Sequence, residues 1–269
     1  MSKTVFITGA STGIGKVTAE YFAKNGWTVI AAMRTPEDVE FTNKENIHKV
    51  KIDVTDEDSI GLAVTEALAK FPKVDAVVNN AGYGLVGTFE YSTPEEVAKQ
   101  FDTNVLGLMS VTRAFLPHFR ANKSGIFVNV ASMLGQMSLP FFSMYSATKF
   151  AVEGFSESLQ YELEPFNIMV KIIEPGAIKT DFYSRSMAKP VSKNIAAYDD
   201  PYNNVLASIN ARGENGADPM LVAKIIYKSV TDNSERLRYS VDSTSRLLMN
   251  LHRFMPFWLY KRIIRSSVG

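Results

Sequence analysis

A tyrosine and a lysine stand four positions apart in the stretch YSATK, Tyr145 to Lys149, with only Ser146, Ala147 and Thr148 between them. Residues i and i+4 share a helix face, so the phenol and the ammonium would sit side by side. A free phenol titrates near pH ~10, too high for proton transfer at neutral pH, and a neighbouring ammonium stabilises the phenolate. The pair reads either as an incidental surface contact or as a proton-transfer device. Two further polar residues bear on that choice. Ser132 closes the apolar run FVNVAS, and a hydroxyl there can hold a substrate oxygen where charge develops. Asn104 interrupts the apolar helical pattern FDTNVLGLMSV, although asparagine is an indifferent helix former. Each has a plain alternative: a loop cap for Ser132, a helix cap or bend for Asn104, a surface contact for the Tyr–Lys pair.

The stretch ITGASTGIG places Gly9, Gly13 and Gly15 between a strand-like run and a helical one. A glycine-rich turn at a helix N-terminus lets backbone N–H groups approach a pyrophosphate, and the helix dipole favours the anion. Three glycines exceed what a plain tight turn needs. The small residues Ser146, Ala147 and Thr148 leave room for a dinucleotide beside Tyr145 and Lys149. The adenosine end is read after the second strand, where a carboxylate would bond both ribose hydroxyls and favour NAD. IAAMRT offers no acid there and does offer Arg34, which can pair with a 2′-phosphate in a fork geometry; the alternative is a solvated arginine. NADP(H) is therefore the preferred cofactor, with NAD(H) as the alternative. Asp53 is a candidate acceptor for the adenine amino group, or else a helix-entry acid before Thr55.

The surrounding elements must position these groups. Residues 4–8 (TVFIT), 27–33, 48–54, 74–82, 125–132 and 168–176 are short apolar, β-branched runs, as in strands buried on both faces. Residues 237–241 are a candidate short last strand. Between them lie amphipathic helical stretches. The first, GIGKVTAEYFAKNG, has Gly26 as its stop. A second has Thr55 as N-cap and Asp58 at the capping-box position. A third opens at Thr93-Pro94-Glu95-Glu96 and runs to about Asn122. Another covers roughly 143–165, and Asp218-Pro219 opens a later one. Strand–helix alternation predicts an α/β fold: one Rossmann-type, doubly wound parallel sheet with helices on both faces, in a single domain over 1–269. Residues 182–217 are polar and lack strand signals, and they read as a substrate lid over the carboxyl ends of the strands.

Composition narrows the function classes. The chain has 269 residues, 46% of them hydrophobic, and a formal net charge of +1, so no bulk electrostatics argue for nucleic acid. It has no cysteine, which excludes disulfides, thiolate catalysis and cysteine zinc sites. His48, His118 and His252 are far apart, and no metal site is expected. No run of about 20 apolar residues exists to span a membrane, and MSKTVFITG lacks the apolar core of a signal peptide. A cytoplasmic protein is expected. The charge is uneven: from Ser234 on, seven Lys/Arg stand against two Asp/Glu, net +5, so the rest carries −4. The tail, a basic amphipathic helical segment at about 243–265, reads as a helix pair packed on the core. Its sharper alternative is contact with anionic lipid or an acidic substrate group.

Taken together, TGASTGIG (8–15), DV (53–54), NNAG (79–82), Asn104, Ser132, YSATK (145–149) and EPGAIKT (174–180) resemble the short-chain dehydrogenase/reductase family. The likeness runs over residues 3–181 and fades beyond. It implies that Tyr145 is the general acid in carbonyl reduction and the base in reverse. Lys149 would bind the nicotinamide ribose and lower the tyrosine pKa, Ser132 would orient the carbonyl, and Asn104 would hold a water in a relay to Lys149. Ser11, Thr12 and Ile14 would join the three glycines around the pyrophosphate, with Asp53 and Val54 at the adenine. Asn79 to Gly82, including Asn80 and Ala81, would lie near the adenosine ribose and steady the sheet. Pro175, Gly176, Ile178 and Thr180 would line the nicotinamide. Arg34 with YSATKFAVEGFSESLQYEL is similar to the branch of retinol-, steroid- and other lipophilic carbonyl reductases. Leu134, Met137, Leu139, Phe141, Phe142, Met144 and Phe182 are candidates for an apolar pocket, the alternative being core or subunit interface. The resemblance implies an NADP(H)-dependent oxidoreductase acting on a small-molecule carbonyl or alcohol, as a homodimer or homotetramer. An NAD(H)-linked alcohol dehydrogenase and a non-catalytic cofactor-binding module are the rivals.

Overall fold

The computed structural model describes residues 2–42, 44–180, 187–190 and 196–268. Its first strand, β1 (Thr4–Thr8), shows why a sheet forms here. Alternate side chains point to opposite faces: Val5 and Ile7 enter one core layer and Phe6 the other, all fully buried. A strand apolar on both faces belongs in the middle of a parallel sheet. The other strands are β2 (Thr28–Met33), β3 (Ile47–Lys51), β4 (Ala76–Asn79), β6 (Gly125–Val130), β7 (Ile168–Glu174) and β9 (Arg238–Ser240). With β1 they make a seven-stranded parallel sheet in the order β3-β2-β1-β4-β6-β7-β9. Two short strands, β5 (Gly84–Leu85) and β8 (Met187–Ala188), pair separately. Val5 pairs with Val29 on one side and Ala76 on the other. The order reverses at β1, and a crevice opens beyond the carboxyl ends of β1 and β4, where ligands bind in this architecture.

Helices cover both faces. On one, α1 (Gly13–Lys24) and α7 (Pro219–Thr231) bury Phe22, Ala23, Val222 and Ile226 against Val5 and Ile7. On the other, α2 (Glu57–Lys70), α4 (Gly107–Asn122) and α5 (Ser143–Leu163) bury Ile60, Phe115, Phe119 and Leu159 against Phe6 and Phe127. The Phe6–Phe115 and Phe119–Phe127 ring centroids lie 4.9 and 4.8 Å apart. Each such phenylalanine contributes roughly 3 kcal/mol through burial.

The helix ends follow local chemistry. Gly26, at φ +80°, stops α1 just past its C-cap, Asn25, as the sequence predicts. Before α3 (Pro94–Phe101), the Thr93 hydroxyl accepts from Glu96 N (3.2 Å) and the Glu96 carboxylate accepts from Thr93 N (2.9 Å), the expected capping box. The expected cap of α2 is corrected. Asp56, not Thr55, accepts from Asp58 N and Ser59 N, while the Thr55 hydroxyl donates back to Asp53. Several predicted strands are shorter than their apolar runs: β3 ends at Lys51 and β4 at Asn79, because the following residues turn outward to border the crevice.

Residues 182–217, polar and without strand signals in the sequence, hold the short strand β8 and the helix α6 (Asp199–Glu214), while 182–186 and 191–195 lie outside the described residues. It buries Val205 and Ile209 in a third cluster, together with Leu134 and Phe142 and with Met249, Tyr260 and Ile264 of α8 (Ser243–Phe254) and α9 (Phe257–Val268). This cluster roofs one side of the crevice. Among the described residues no helix is long and apolar enough to cross a membrane.

Candidate active site

The crevice is a cleft of about 1370 Å³ whose lining runs from Arg34 and Asp53 at one end to Leu139 and Phe142 at the other. Its floor is the glycine loop. Gly9 adopts φ +65°, and a Cβ there would lie 2.8 Å from Ala81 Cα. A Cβ on Gly15 would lie 2.2 Å from Gly9 O and 2.5 Å from Asn80 Nδ2. Gly15 therefore does not line the cleft, as its assignment to the cofactor implies, but lets α1 close against the loop. Asn80 laces that loop to β4: its Nδ2 donates to Thr8 O (3.0 Å) and Gly9 O (3.2 Å). The Thr8 hydroxyl in turn accepts from Asn80 N and Ala81 N. Ser11, Thr12, Gly13 and Ile14 border the cleft at the first turn of α1. Thr12 makes no side-chain cap and no acid stands in that turn, so the helix presents its positive end to the cleft.

Beyond the ends of β2 and β3, Arg34, Asp53, Val54 and Lys99 line the cleft together. Asp53 Oδ1 accepts from Thr55 N (3.0 Å) and the Thr55 hydroxyl (2.7 Å). These bonds, with Arg34 and Lys99 nearby, hold its carboxyl below the usual range although partial burial opposes them. Asn80, Ala81 and Gly82 line the middle, and Pro175, Gly176, Ile178 and Thr180 face them from beyond β7. Asn79 points away into a buried ladder. Its Nδ2 donates to Thr112 Oγ1 (3.0 Å) and Asn129 Oδ1 (2.9 Å), and Asn129 donates to Ser156 (2.8 Å). The ladder steadies β4, β6 and α5 at the cleft's base.

Tyr145, Lys149 and Ser132 line one wall. The helical spacing places Lys149 Nζ 5.6 Å from the centroid of the Tyr145 ring. The ammonium is buried and donates to Val130 O (2.9 Å), the last residue of β6. Burial pulls its pKa down to about 8, with Glu153 opposing. Ser132 Oγ accepts from Leu134 N (3.1 Å), capping a short turn as its plain alternative holds, and also faces the cleft. Asn104 sits in a π-turn, Asp102–Leu106, between α3 and α4. Its Oδ1 accepts from Tyr83 N (3.0 Å), and its Nδ2 donates to Tyr83 O (2.8 Å) and Thr148 Oγ1 (3.2 Å). Both amide N–H groups are thus engaged, and Asn104 itself is not on the cleft's lining.

Behind Lys149 lies a charge cluster that the sequence reading missed. Glu153, one turn on along α5, is buried, and Arg238 Nε donates to its Oε2 (3.1 Å). Arg238 also reaches Glu157 (2.6 Å) and lies 3.7 Å from Glu174, which accepts from Gln136. Glu153 Oε1 has no hydrogen-bond partner among the described residues. Burial, reinforced by Glu174, pushes the Glu153 carboxyl up to about 8; Arg238 opposes this. The i+4 spacing from Lys149 was the one signal available in the sequence.

The apolar pocket is partly corrected. Leu134, Leu139 and Phe142 line the cleft. Met137 does not: it is fully buried in the third cluster and accepts a hydrogen bond from Tyr260 (3.3 Å). Phe141 turns to a side groove, and Met144 is buried against Ser92. Phe182 lies outside the described residues. Ile209 and Leu248, which were not anticipated, complete the apolar lining. No cluster of metal-ligating side chains occurs among the described residues.

Residues 3–190 match the family model described as short chain dehydrogenase. The chain belongs to the short-chain dehydrogenase family. It is 34% identical over 277 residues to an uncharacterized oxidoreductase, YusZ, of Bacillus subtilis, covering 99% of this chain and 98% of that one. It is also 34% identical to a 3-ketodihydrosphingosine reductase of Bacteroides thetaiotaomicron, over 91% of this chain and 89% of the relative. A crystal structure of a short-chain dehydrogenase from Streptomyces avermitilis superposes with a TM-score of 0.84 at 33% identity, covering 100% of this chain and 98% of that one. Two further solved structures carry a nicotinamide cofactor. One is a Brucella melitensis 3-ketoacyl-(acyl-carrier-protein) reductase complexed with NADH, with TM-score 0.74 and 26% identity over 89% of this chain and 97% of that one. The other is ElxO with NADP bound, with TM-score 0.75 and 27% identity over 92% and 100%. As a member of this family the protein is an oxidoreductase, with the seven-stranded Rossmann-type sheet predicted from its sequence.

Proposed function

We propose that this oxidoreductase transfers a hydride between NADP(H) and a carbonyl/alcohol pair, reducing a lipophilic ketone or aldehyde. The observation that carries the reading is the Ser132–Tyr145–Lys149 wall, with Lys149 Nζ 5.6 Å from the Tyr145 ring, in the same cleft as the glycine loop. A dinucleotide fits the residues present: Gly9 and Gly13, both at positive φ, bring bare backbone to the cleft, and the first turn of α1 presents an uncapped, acid-free N-terminus. Ser11, Thr12, Gly13 and Ile14 would hold the pyrophosphate and Arg34 a 2′-phosphate. Asn80, Ala81, Gly82, Ile178 and Thr180 would flank the rest. When bound, the dinucleotide supplies or accepts the hydride.

The chain's own residues handle the proton. The Ser132 hydroxyl holds the carbonyl oxygen, and the Tyr145 hydroxyl gives that oxygen its proton in reduction and takes it back in oxidation. The Lys149 ammonium, fixed by Val130 O, stabilises the phenolate left behind. Asn104 braces Tyr83 and Thr148 around this group, leaving one lone pair on Oδ1 for a water toward Lys149. Leu134, Leu139, Phe142, Ile209 and Leu248 supply the apolar contacts, with α6 as the lid. The relative named as a 3-ketodihydrosphingosine reductase supports a lipophilic ketone. Solved neighbours carry NADH and NADP, and Arg34 at the end of β2, where no carboxylate stands in IAAMRT, supports the second. Exposed Leu106, Phe150 and Tyr161 on the α4–α5 side support assembly into a homodimer or homotetramer.

The test is Tyr145→Phe, assayed for NADPH consumption against ketones and aldehydes graded by size. Turnover should fall by ~10²–10⁴ while NADPH binding, followed by its fluorescence, is retained. Undiminished turnover would remove Tyr145 from the chemistry. Binding with no turnover by the unmodified protein on any carbonyl would leave the non-catalytic module standing.

A further inference from the structure

The fold leaves a cationic, aromatic face turned outward at α8 and α9. Each helix buries one side: Met249 of α8 and Tyr260 and Ile264 of α9 enter the cluster that roofs the cleft. The His252 and Tyr260 rings meet edge to face with centroids 4.7 Å apart, and Arg212 donates to Ser267 O (2.8 Å), tying α6 to α9. A Cβ on Gly176 would lie 2.0 Å from Ser245 Oγ, so α8 also packs directly on the loop after β7. The tail is therefore seated, and its outer face is fixed in place.

That outer face is unlike an ordinary solvated surface. Phe254 is 79% exposed, Phe257 and Trp258 are each 68% exposed, and Leu247 is 58% exposed. Phe254, Phe257 and Trp258 flank the corner where α8 ends and α9 begins, and Leu247 lies about two turns earlier on α8. Beyond Asp242 the chain has no Asp or Glu, but it has Arg246, Arg253, Lys261, Arg262 and Arg265. Among the described residues none of these five takes part in a salt bridge. Arg253 lies over the Phe254 ring, 5.7 Å from its centroid. A soluble surface rarely gathers large aromatics without a partner, and cations on a folded surface usually find acids nearby.

We infer that this face docks on an anionic lipid bilayer. Aromatic rings suit the boundary between headgroups and acyl chains, and the basic residues around them suit a negatively charged leaflet. Charge decides against a second copy of the chain, because a two-fold contact through this face would set five unpaired cations against five more. Each helix has 12 residues, too short to span a bilayer, so they would lie along its surface. The inner side of α8 borders the cleft through Thr244, Ser245 and Leu248, so a docked molecule holds that flank of the cleft toward the lipid.

The chain carries its own reporter. Of its two tryptophans, Trp27 is 5% exposed and Trp258 is 68% exposed. The full-length protein, without substrate or cofactor, is mixed with vesicles of phosphatidylcholine alone or with phosphatidylserine added, at low and high salt. Trp258 emission should shift to the blue and the protein should sediment with the anionic vesicles, both reversed by salt. Trp258→Phe should lose the shift and keep most of the sedimentation. The triple variant Lys261→Gln/Arg262→Gln/Arg265→Gln should bind on the order of 100-fold more weakly, at roughly fivefold per cation. Should that variant misfold, the salt and lipid arms on the unmodified protein still decide. Absence of sedimentation with anionic vesicles, or equal binding to neutral ones, overturns the proposal. So does a blue shift that grows with protein concentration in the absence of vesicles together with a doubled mass, which would give the face to a second copy. The proposed reaction stands or falls separately, because none of these readouts involves turnover.

Discussion

Replacing Arg238 by Met should destabilise the protein by an amount that grows with pH. Arg238 is the cation for Glu153, Glu157 and Glu174, and the first and last of these are buried. Breaking a buried pair from one side typically costs ~3–5 kcal/mol. Because the Arg238 side chain is 35% exposed, water screens part of that, and about 2–3 kcal/mol is the expectation near pH 8. The pH dependence follows from Glu153. Its carboxyl is raised from 4.5 to about 8 by burial, so its contribution to stability is full below 4.5 and is lost as pH rises through about 8. Glu174 is raised in the same sense, chiefly by burial. Arg238 opposes both shifts, so its removal drives the carboxyls further up and steepens that loss. Near pH 5 Glu153 can hold its proton, and Glu174 is shifted in the same direction, so the cost should shrink to about 1 kcal/mol or less. Lys149 acts the other way at higher pH, since its lowered value gives stability that grows as pH rises from about 8 toward 10.5. The comparison therefore belongs between about pH 5 and pH 8. The assay is urea unfolding at both ends, reading the midpoint at constant m. A destabilisation equal at the two pH values, or larger at the acid end, would refute the assignment of buried, proton-holding carboxyls behind Lys149.

Gly15→Ala should lower the urea midpoint, because its Cβ would meet Gly9 O at 2.2 Å and backbone cannot swing aside. The expected cost is ~1–3 kcal/mol, and an unchanged midpoint would show that α1 does not close on the loop as described. Arg34→Asp should weaken NADPH relative to NADH on the order of 10–100-fold, the worth of a charge-assisted hydrogen bond. An unchanged ratio of kcat/KM values for the two cofactors would make Arg34 a solvated bystander and favour the NAD(H)-linked rival.

Legibility in the sequence tracked how local the determining physics was. The capping box at Thr93 and Glu96 spans three residues, and it formed as read. The stretch DVTDEDS offers several acids in succession. Its cap moved to Asp56 because Asp53 engages Thr55 in a turn of its own, a competition that spacing cannot settle. The helix α6 escaped notice because its buried set is only Val205, Ile209 and Gly213, too sparse to mark a face among polar neighbours. Met137 and Leu139 are indistinguishable as apolar letters, yet one lies in the core and the other lines the cleft. The Glu153–Arg238 pair joins residues far apart in the chain. It depends on the β7–β9 register, in which Ile172 pairs with Arg238, and no local pattern reports a register.

The π-turn at Asp102–Leu106 acts as a phase shifter. Upstream of it, Gln100 points inward and donates to Tyr83 O (2.7 Å); downstream, Val111 and Phe115 point into the sheet's core. Each residue of a regular helix advances the facing direction by about 100°, and a π-turn carries one residue more than a regular turn, so the two halves face directions that a regular helix of the same length would not give. The surplus residue resets the angle between the two halves, and Asn104 sits at the reset. Deleting one residue here would give a more regular helix and a worse one. Either Gln100 and Asn104 would swing away from Tyr83, or Phe115 would leave Phe6. The length of this helix is thus a calibrated quantity, and its tolerance to single-residue insertion or deletion should be lower than that of any loop around the cleft.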